Sequence, residues 1–186
     1  LEIPAIGGKD SMSGTFEDIH VPPTLAAFAV DVMKADHAVS PEFKYAGNKV
    51  YLVPAPKDDQ DLPQFAKLRR NWAKISAMTA EKKVFAAQSI GVGGIAAAVS
   101  KMCLGNGVGF KFTSFVAQND LFVPDYGAII IEAAEATDVE TLLAGTGYCE
   151  LGVTTAGPSI VCGSAVIMLA DAEEAYTDRK SVRVGK

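Results

Sequence analysis

The chain has 186 residues, of which 49% are hydrophobic and 21% charged, and its formal net charge is −5. This length and hydrophobic content support a folded core, which argues against a disordered chain or a small disulfide scaffold. The acidic balance argues against nucleic-acid binding, and no apolar run is long enough to span a membrane. We expect a cytoplasmic globular protein.

The amino-terminal segment begins abruptly at residues 1–4 (LEIP), and we expect it to be cut from a larger protein. Residues 7–15 (GGKDSMSGT) predict a Gly/Ser-rich loop. The run of small apolar residues at 24–33 predicts a strand buried on both faces. Polar residues 36–48 mark the expected boundary between two structural units.

The remaining elements follow from hydrophobic spacing and from the positions of glycine and proline. Strands are predicted at 50–53, 110–116, 127–133, 148–154 and 160–169. Helices are predicted from residue 61 onward, with an apolar stripe of Phe65, Leu68, Trp72 and Ile75, and at 80–88, 93–104, 138–144 and 171–176. Because strands and helices do not alternate strictly, the pattern favours an α+β fold.

A glycine-rich string with charged and hydroxyl side chains is the strongest local motif. Its glycines allow an anion to approach the backbone, Lys9 supplies a positive charge, and Ser11 and Ser13 supply hydroxyl donors. Asp10 could hold Mg²⁺ or orient the lysine. The string is not a Walker A loop, because Asp10 follows the lysine where Ser or Thr is required. The alternative is a polar turn between strands.

A second glycine motif, Gly91-Val92-Gly93-Gly94-Ile95, precedes the helix predicted at 93–104. Backbone N–H groups at such a helix start attract anions, although glycine turns before helices are also common without a ligand. The basic residues Lys67, Arg69, Arg70 and Lys74 are interpreted as a solvated helix face rather than a phosphate site. The cysteines Cys103, Cys149 and Cys162 show no nucleophile context and are expected to be buried.

The string Ile6-Gly7-Gly8-Lys9-Asp10-Ser11-Met12-Ser13, followed by Pro22-Pro23-Thr24-Leu25, resembles the phosphoribosylformylglycinamidine synthases. These are large glutamine-dependent ligases of purine biosynthesis, in the aminoimidazole ribonucleotide synthetase-like superfamily. The stretch from Gly93-Gly94 to Gly109-Phe110 is similar to that family's Gly-Gly turn and following helix. The matches cover about residues 3–170.

The resemblance implies a domain organisation as well as a fold. Residues 1–40 would end an amino-terminal synthetase-like unit, and residues 48–172 would form the layered α/β carboxy-terminal domain with its mixed sheet. Residues 173–186 would be a tail or linker. The implied partners are the rest of the synthase chain and its glutaminase domain.

The resemblance also implies a reaction, in which ATP activates formylglycinamide ribonucleotide and ammonia from glutamine displaces the phosphate. ATP or ADP and Mg²⁺ would serve the full enzyme. The implied phosphate- or nucleotide-binding residues are Gly8, Lys9, Asp10, Ser11, Ser13, Gly93 and Gly94, with Asp10 as a metal ligand. No catalytic residue is assigned to this chain.

One departure from the superfamily pattern His-Asp-x-Ser-Asp-Gly-Gly limits these implications. Aligned on Gly93-Gly94, the two aspartates are replaced by Ser89 and Val92, which removes hard anionic ligands for Mg²⁺. We therefore expect the degenerate half of the synthase, inactive alone; both a bound nucleotide and a site without one are compatible with the sequence. The alternatives are a free-standing, non-catalytic relative that binds a phosphate ligand, or a module that self-associates.

Overall fold

The computed structural model describes residues 3–113 and 118–178. Contacts between residues divide the chain into two units, Leu1–Ala35 and Asp36–Lys186, and each is described here by itself. The end of the strand predicted at 110–116 and the tail beyond residue 178 lie outside the described residues.

Unit 1 consists of two antiparallel two-stranded ribbons. Strand β1 (Ala5–Ser11) pairs with β4 (Thr24–Ala29), and β2 (Gly14–Phe16) pairs with β3 (Ile19–Val21). The loop predicted at 7–15 is therefore wrong in its first half, which is a strand. A side chain at Gly8 would place its Cβ 2.8 Å from the Ala26 carbonyl oxygen, so this glycine permits close pairing instead of a turn.

The apolar run at 24–33 is open to solvent on both faces, in contrast to the predicted burial. Among the described residues of unit 1, none is buried. Leu25 is 85% exposed and Phe28 is 58% exposed, although they point to opposite sides of β4. Residues 24–33 have the small apolar composition of a strand buried on both faces, but no described element of unit 1 packs against either face of β4.

Unit 2 contains a seven-stranded mixed sheet. Its spatial order is β11-β10-β7-β9-β5-β8-β6, in which β7 and β10 are parallel and the other neighbours antiparallel. The strands are β5 (Lys49–Val53), β6 (Val84–Ser89), β7 (Gly109–Phe112), β8 (Ile129–Ala133), β9 (Cys149–Thr155), β10 (Ser159–Cys162) and β11 (Ala165–Met168). The predicted α+β class with a mixed sheet is confirmed.

Helices cover both faces of this sheet, and a hydrophobic cluster lies on each. Alternate residues of β5 and β8 enter different clusters: Val50 and Ile130 one, Tyr51 and Ile131 the other. The helices are α1 (Phe65–Ala80), α2 (Gly94–Leu104), α3 (Gln118–Leu121), α4 (Val139–Leu142) and α5 (Leu169–Thr177). No helix in the described ranges has the length and apolar character needed to cross a membrane.

Two predicted elements of unit 2 are wrong. Residues 84–89 form strand β6 rather than part of a helix, because Val84 and Ala86 alternate into the core and pair with β8. The single strand predicted at 160–169 is the hairpin β10–β11, reversed at Gly163, which has a φ of +58°. Phe65 opens α1 but is 57% exposed, so the apolar stripe starts at Leu68.

A buried carboxylate fastens the segment before β5 to the sheet. Glu132 on β8 is fully buried and accepts bonds from Lys44 N at 2.8 Å, Tyr45 N at 3.2 Å and Asn48 Nδ2 at 2.6 Å. These three donors satisfy both carboxylate oxygens, which is how a buried charge is tolerated. The residues from Phe43 onward are thereby part of the core of unit 2.

Candidate functional site

The residues of the first glycine motif are spread over both faces of β1. Because side chains alternate along a strand, Lys9 and Ser11 share one face, whereas Gly8 and Asp10 lie on the other. Lys9 Nζ donates to the backbone oxygen of Asp10 at 3.3 Å and is exposed. Lys9 and Ser11 therefore lie on the same face of β1. The Asp10 carboxylate lies on the opposite face.

Ser13 lies beyond β1, in the connection to β2. Together with Thr15 and His20, it lines an open cavity of about 630 Å³ in unit 1, where Thr15 Oγ1 is 3.2 Å from His20 Nδ1. Asp10 is not among the lining residues. Within the described ranges, no three or more His, Cys, Asp or Glu side chains gather as a metal site would require.

The second glycine motif forms a tight turn between β6 and α2 in unit 2. Gly93 and Gly94 have φ angles of +88° and +64°, a region that side chains rarely adopt. A Cβ at Gly94 would also lie 2.5 Å from the Leu121 carbonyl oxygen. Both glycines are therefore required by the backbone, independently of any ligand.

A cavity of about 230 Å³ opens beside this turn and is called the glycine-turn pocket. Its lining residues include no carboxylate and one cation: Gln88, Ser89, Gly91, Val92, Gly94, Ala97, Ala98 and Lys101. Gly94 N donates to the Gly91 oxygen at 3.0 Å, and Ala97 N donates to the Gly93 oxygen at 3.1 Å. The N–H groups of Ile95 and Ala96 have no acceptor in the first helical turn, but these two residues do not line the pocket.

Lys101 is a pocket residue that the sequence analysis did not single out. It lies seven residues after Gly94, which returns it to the same side of α2 after two turns. That spacing is the signal that could have found it. Ser89 and Val92, at the positions of the two aspartates in the superfamily pattern, also line the pocket, so Lys101 is the one charged residue in its lining.

A second cavity of about 220 Å³ adjoins the glycine turn through Ile90 and Ile95. Its polar part is built around Lys57, whose Nζ lies 3.0 Å from Asp61 and 3.7 Å from Asp125. The bond to Asp61 raises the pKa of Lys57. Asp125 also accepts from Ala55 N at 3.3 Å, so these charges are engaged in holding the loops.

The other candidate groups are structural. Lys67, Arg69 and Arg70 are exposed on α1, as expected for a solvated face, and Lys74 Nζ donates to the Leu142 oxygen at 2.9 Å. Cys103 is buried, which raises its pKa to about 12. Cys149 is exposed, contrary to the prediction, at the first position of β9.

Comparison with known proteins agrees with the resemblance drawn from the motifs. No family model matches the chain. The chain is 26% identical over 198 residues to the phosphoribosylformylglycinamidine synthase subunit PurL of Pyrobaculum aerophilum, an alignment covering 94% of this chain. It spans only 27% of that relative's length.

Solved structures show the same fold. Phosphoribosylformylglycinamidine synthase II from Thermotoga maritima matches with a TM-score of 0.61 at 13% identity, over 80% of this chain and 29% of that one. The hydrogenase maturation protein HypE, solved with ATP, matches with a TM-score of 0.54 at 10% identity, over 78% of this chain and 56% of that one. The synthetase-like fold and the similarity to PurL are therefore confirmed.

Proposed function

We propose that this chain is a segment of a phosphoribosylformylglycinamidine synthase, in which it supplies structure and a phosphate-binding surface. The observation that carries the proposal is the similarity to PurL along 94% of the chain, together with the shared fold. The complete enzyme would join formylglycinamide ribonucleotide to ammonia at the expense of ATP. Because the chain spans about a quarter of PurL, we expect it to be inactive alone.

Nucleotide binding in this family supports a phosphate role for the glycine-turn pocket. PurL from Thermotoga maritima has been solved with ATP, with ADP and with FGAR. In this chain the pocket offers the ammonium group of Lys101 beside the amino-terminal end of α2, whose dipole favours an anion. We propose that these groups hold a nucleotide phosphate. Lys9 and Ser11, on one face of β1, would form a second phosphate-facing surface.

The residues at the glycine turn do not fit Mg²⁺. That ion prefers several carboxylate or water oxygens in octahedral geometry, whereas the pocket is lined by no carboxylate and contains a lysine. Asp10 remains the proposed metal ligand in unit 1. We therefore derive no step that depends on a metal at the turn, and we propose that phosphate binding there is independent of magnesium.

Titration calorimetry of the whole chain with ADP tests this proposal. We expect binding at the glycine-turn pocket with a dissociation constant for ADP that changes less than twofold when Mg²⁺ is added. Lys101→Ala removes one charge-assisted bond and should weaken binding about five- to tenfold. Lys67→Ala, on the solvated face of α1, is the matched control and should leave binding unchanged. Binding that requires Mg²⁺, or equal effects of the two variants, would contradict the pocket assignment.

Cytoplasmic location and assembly with a glutaminase complete the proposal. We propose that the remaining synthase chain and a glutaminase domain are the partners. The exposed apolar faces of unit 1 would pack against the remaining synthase chain. The native reading frame should then encode further synthase-like sequence. A frame that ended at both termini of this chain would instead favour a free-standing relative that binds a phosphate ligand without catalysis.

A further inference from the structure

One stretch of chain, residues 121–128 just before β8, contacts the glycine turn at both of its ends. At the start of the turn, the Ile90 N–H group donates to the Ala128 oxygen at 3.1 Å. At its end, a Cβ on Gly94 would lie 2.5–2.8 Å from the backbone of residues 121–123. We call residues 121–128 the supporting segment. Its contacts fix the position of the turn on the sheet.

Two cavities adjoin the glycine turn, so the turn is packed less completely than the core. One is the glycine-turn pocket. The other, of about 220 Å³, is lined by Ile90 and Ile95 of the turn and by Val123 and Asp125 of the supporting segment. Atoms that face a cavity lack the close contacts that fix a side chain or backbone in a filled core. The position of the turn therefore depends strongly on its bond and contacts with the supporting segment.

A tryptophan on α1 anchors the supporting segment. Trp72 Nε1 donates to the Gly127 oxygen at 2.9 Å, and Gly127 directly precedes Ala128, which accepts from Ile90. The indole ring packs against one of the two hydrophobic clusters, which limits its freedom to turn. Two hydrogen bonds at successive carbonyl groups thus connect α1 to the start of the glycine turn.

Asp125 provides a second anchor for the same segment. Its backbone oxygen accepts from Ala128 N at 3.0 Å, and its carboxylate accepts from Ala55 N at 3.3 Å. Lys57 Nζ lies 3.7 Å from the same carboxylate. Because two anchors share the task, loss of either one should loosen the glycine turn without releasing it.

We propose that Trp72 is a positioning residue for phosphate binding at the glycine-turn pocket. Its bond to Gly127 holds the supporting segment against the turn, and the turn places the amino-terminal end of α2 beside Lys101. Trp72 does not line the pocket, so it acts through the supporting segment. This inference rests on the proposed phosphate role of the pocket and adds to it a residue from another helix.

Nuclear magnetic resonance titration of the whole chain with ADP gives the first test. The chain contains one tryptophan, so a single indole N–H resonance reports on the bond from Trp72 to Gly127. Coupling between a site and the group that positions it is reciprocal. We expect ADP to shift the indole resonance saturably, with the same dissociation constant as the amide resonance of Gly94. ADP binding that leaves the indole resonance unmoved would overturn the proposal.

Two variants of α1 separate positioning from a general loss of stability. Trp72→Phe keeps an aromatic ring but removes the N–H donor, and should weaken ADP binding about three- to tenfold, as the loss of one hydrogen bond would. Ile75→Val is the matched control, because Ile75 is buried in the other hydrophobic cluster. It also weakens the packing of α1, but it should leave the affinity for ADP unchanged. Equal affinities of the two variants would overturn the proposal.

Hydrogen exchange without nucleotide distinguishes a failure of this inference from a failure of the proposed function. Trp72→Phe should speed exchange of the Ile90 amide about tenfold, because the turn opens locally once its support is loosened. Ile75→Val should change that rate by less than about twofold. Equal exchange rates in the two variants would overturn the positioning role whether or not ADP binds. The expected rates without any binding of ADP by the wild-type chain would instead refute the phosphate role of the pocket.

Discussion

Gly94 and Gly107 share a left-handed backbone but differ in what surrounds them. Their φ angles are +64° and +66°, yet a Cβ at Gly107 would meet nothing within 4 Å, whereas at Gly94 it would meet the backbone of residues 121–123. We expect Gly107→Ala to cost about 1 kcal/mol, from the backbone alone. Gly94→Ala adds overpacking and should cost about 3 kcal/mol or more.

Urea unfolding of the two glycine variants measures this difference. Equal losses in the free energy of unfolding would show that the contact with residues 121–123 is unimportant. A loss confined to Gly94→Ala would show that the strain of the left-handed backbone is negligible.

Glu132 is the residue whose removal should damage unit 2 most. Glu132→Ala leaves the N–H groups of Lys44 and Tyr45 and the amide of Asn48 without their shared acceptor. We expect a loss of about 3–5 kcal/mol in the free energy of unfolding. Glu135→Ala, at an exposed position just after β8, should change the free energy of unfolding by no more than about 0.5 kcal/mol. A similar small effect for both would mean that the segment before β5 is held by other contacts.

Glu42 makes stability depend on pH in the acid range. Hydrogen bonds from Lys44 and Ser40 lower the pKa of Glu42 from 4.5 to about 2. A depressed carboxyl pKa stabilises the fold above the unfolded value, and that contribution disappears as the pH falls from about 4.5 to about 2. The pair is near the surface, so we expect at most about 1 kcal/mol.

The comparison of wild type with Glu42→Gln isolates this contribution, because other carboxylates titrate in both proteins. The difference in their free energies of unfolding should be constant above pH 5 and shrink toward pH 2. A difference that grows on acidification would contradict the assigned direction of the pKa shift.

At the scale of elements, the spacing of apolar residues predicted α1 and α2, because residues at that spacing are buried on one side of each helix. The same reasoning failed at residues 84–89, where Val84 and Ala86 alternate inward but alanines and lysines favour a helix. That segment is a strand because β8 pairs with it, and β8 begins at residue 129. Pairing between segments that are distant in the sequence cannot be predicted from a short stretch of residues.

Strand β11 forms an apolar edge of the seven-stranded sheet. Val166 is 61% exposed, and β11 contains no charged residue. Such an edge invites pairing with another chain. We expect Val166→Lys to reduce concentration-dependent association in sedimentation velocity, while the free energy of unfolding changes by less than about 1 kcal/mol. Ile160→Lys, at a buried position on β10, should instead unfold the protein. Unchanged association of Val166→Lys would show that β11 is not the contact.

At the scale of the whole molecule, the core belongs to unit 2. The buried residues of the described chain begin at Phe43, and both hydrophobic clusters consist of residues from Phe43 onward. We expect removal of residues 1–35 to change the free energy of unfolding by less than about 1 kcal/mol. A peptide of residues 1–35 should show no cooperative transition by circular dichroism, because two-stranded ribbons are marginal alone. Loss of folding in the shortened protein would contradict this division.

The candidate sites were only partly predictable at this scale. The glycine turn was visible in the sequence, because two adjacent glycines precede a helix. The close approach of Gly94 to the backbone of residues 121–123 was not visible, because those residues are far from Gly94 in the sequence. The cavity lined by Tyr51, Asp138 and Tyr148 gave no local signal, since these residues come from separate parts of the chain. A sequence motif can therefore identify a backbone turn. A cavity cannot be identified in this way, because it forms only when distant strands pair in the folded sheet.

The order of strands also sets when the protein can fold during synthesis. The central strand β5 ends at residue 53, but its partners β8 and β9 end at residues 133 and 155. At a translation rate of about 5–20 residues per second, β5 waits on the order of 5–20 s before both partners have left the ribosome. Through that interval Val50, Tyr51 and Val53 remain uncovered, so the nascent chain needs a chaperone most at this stage.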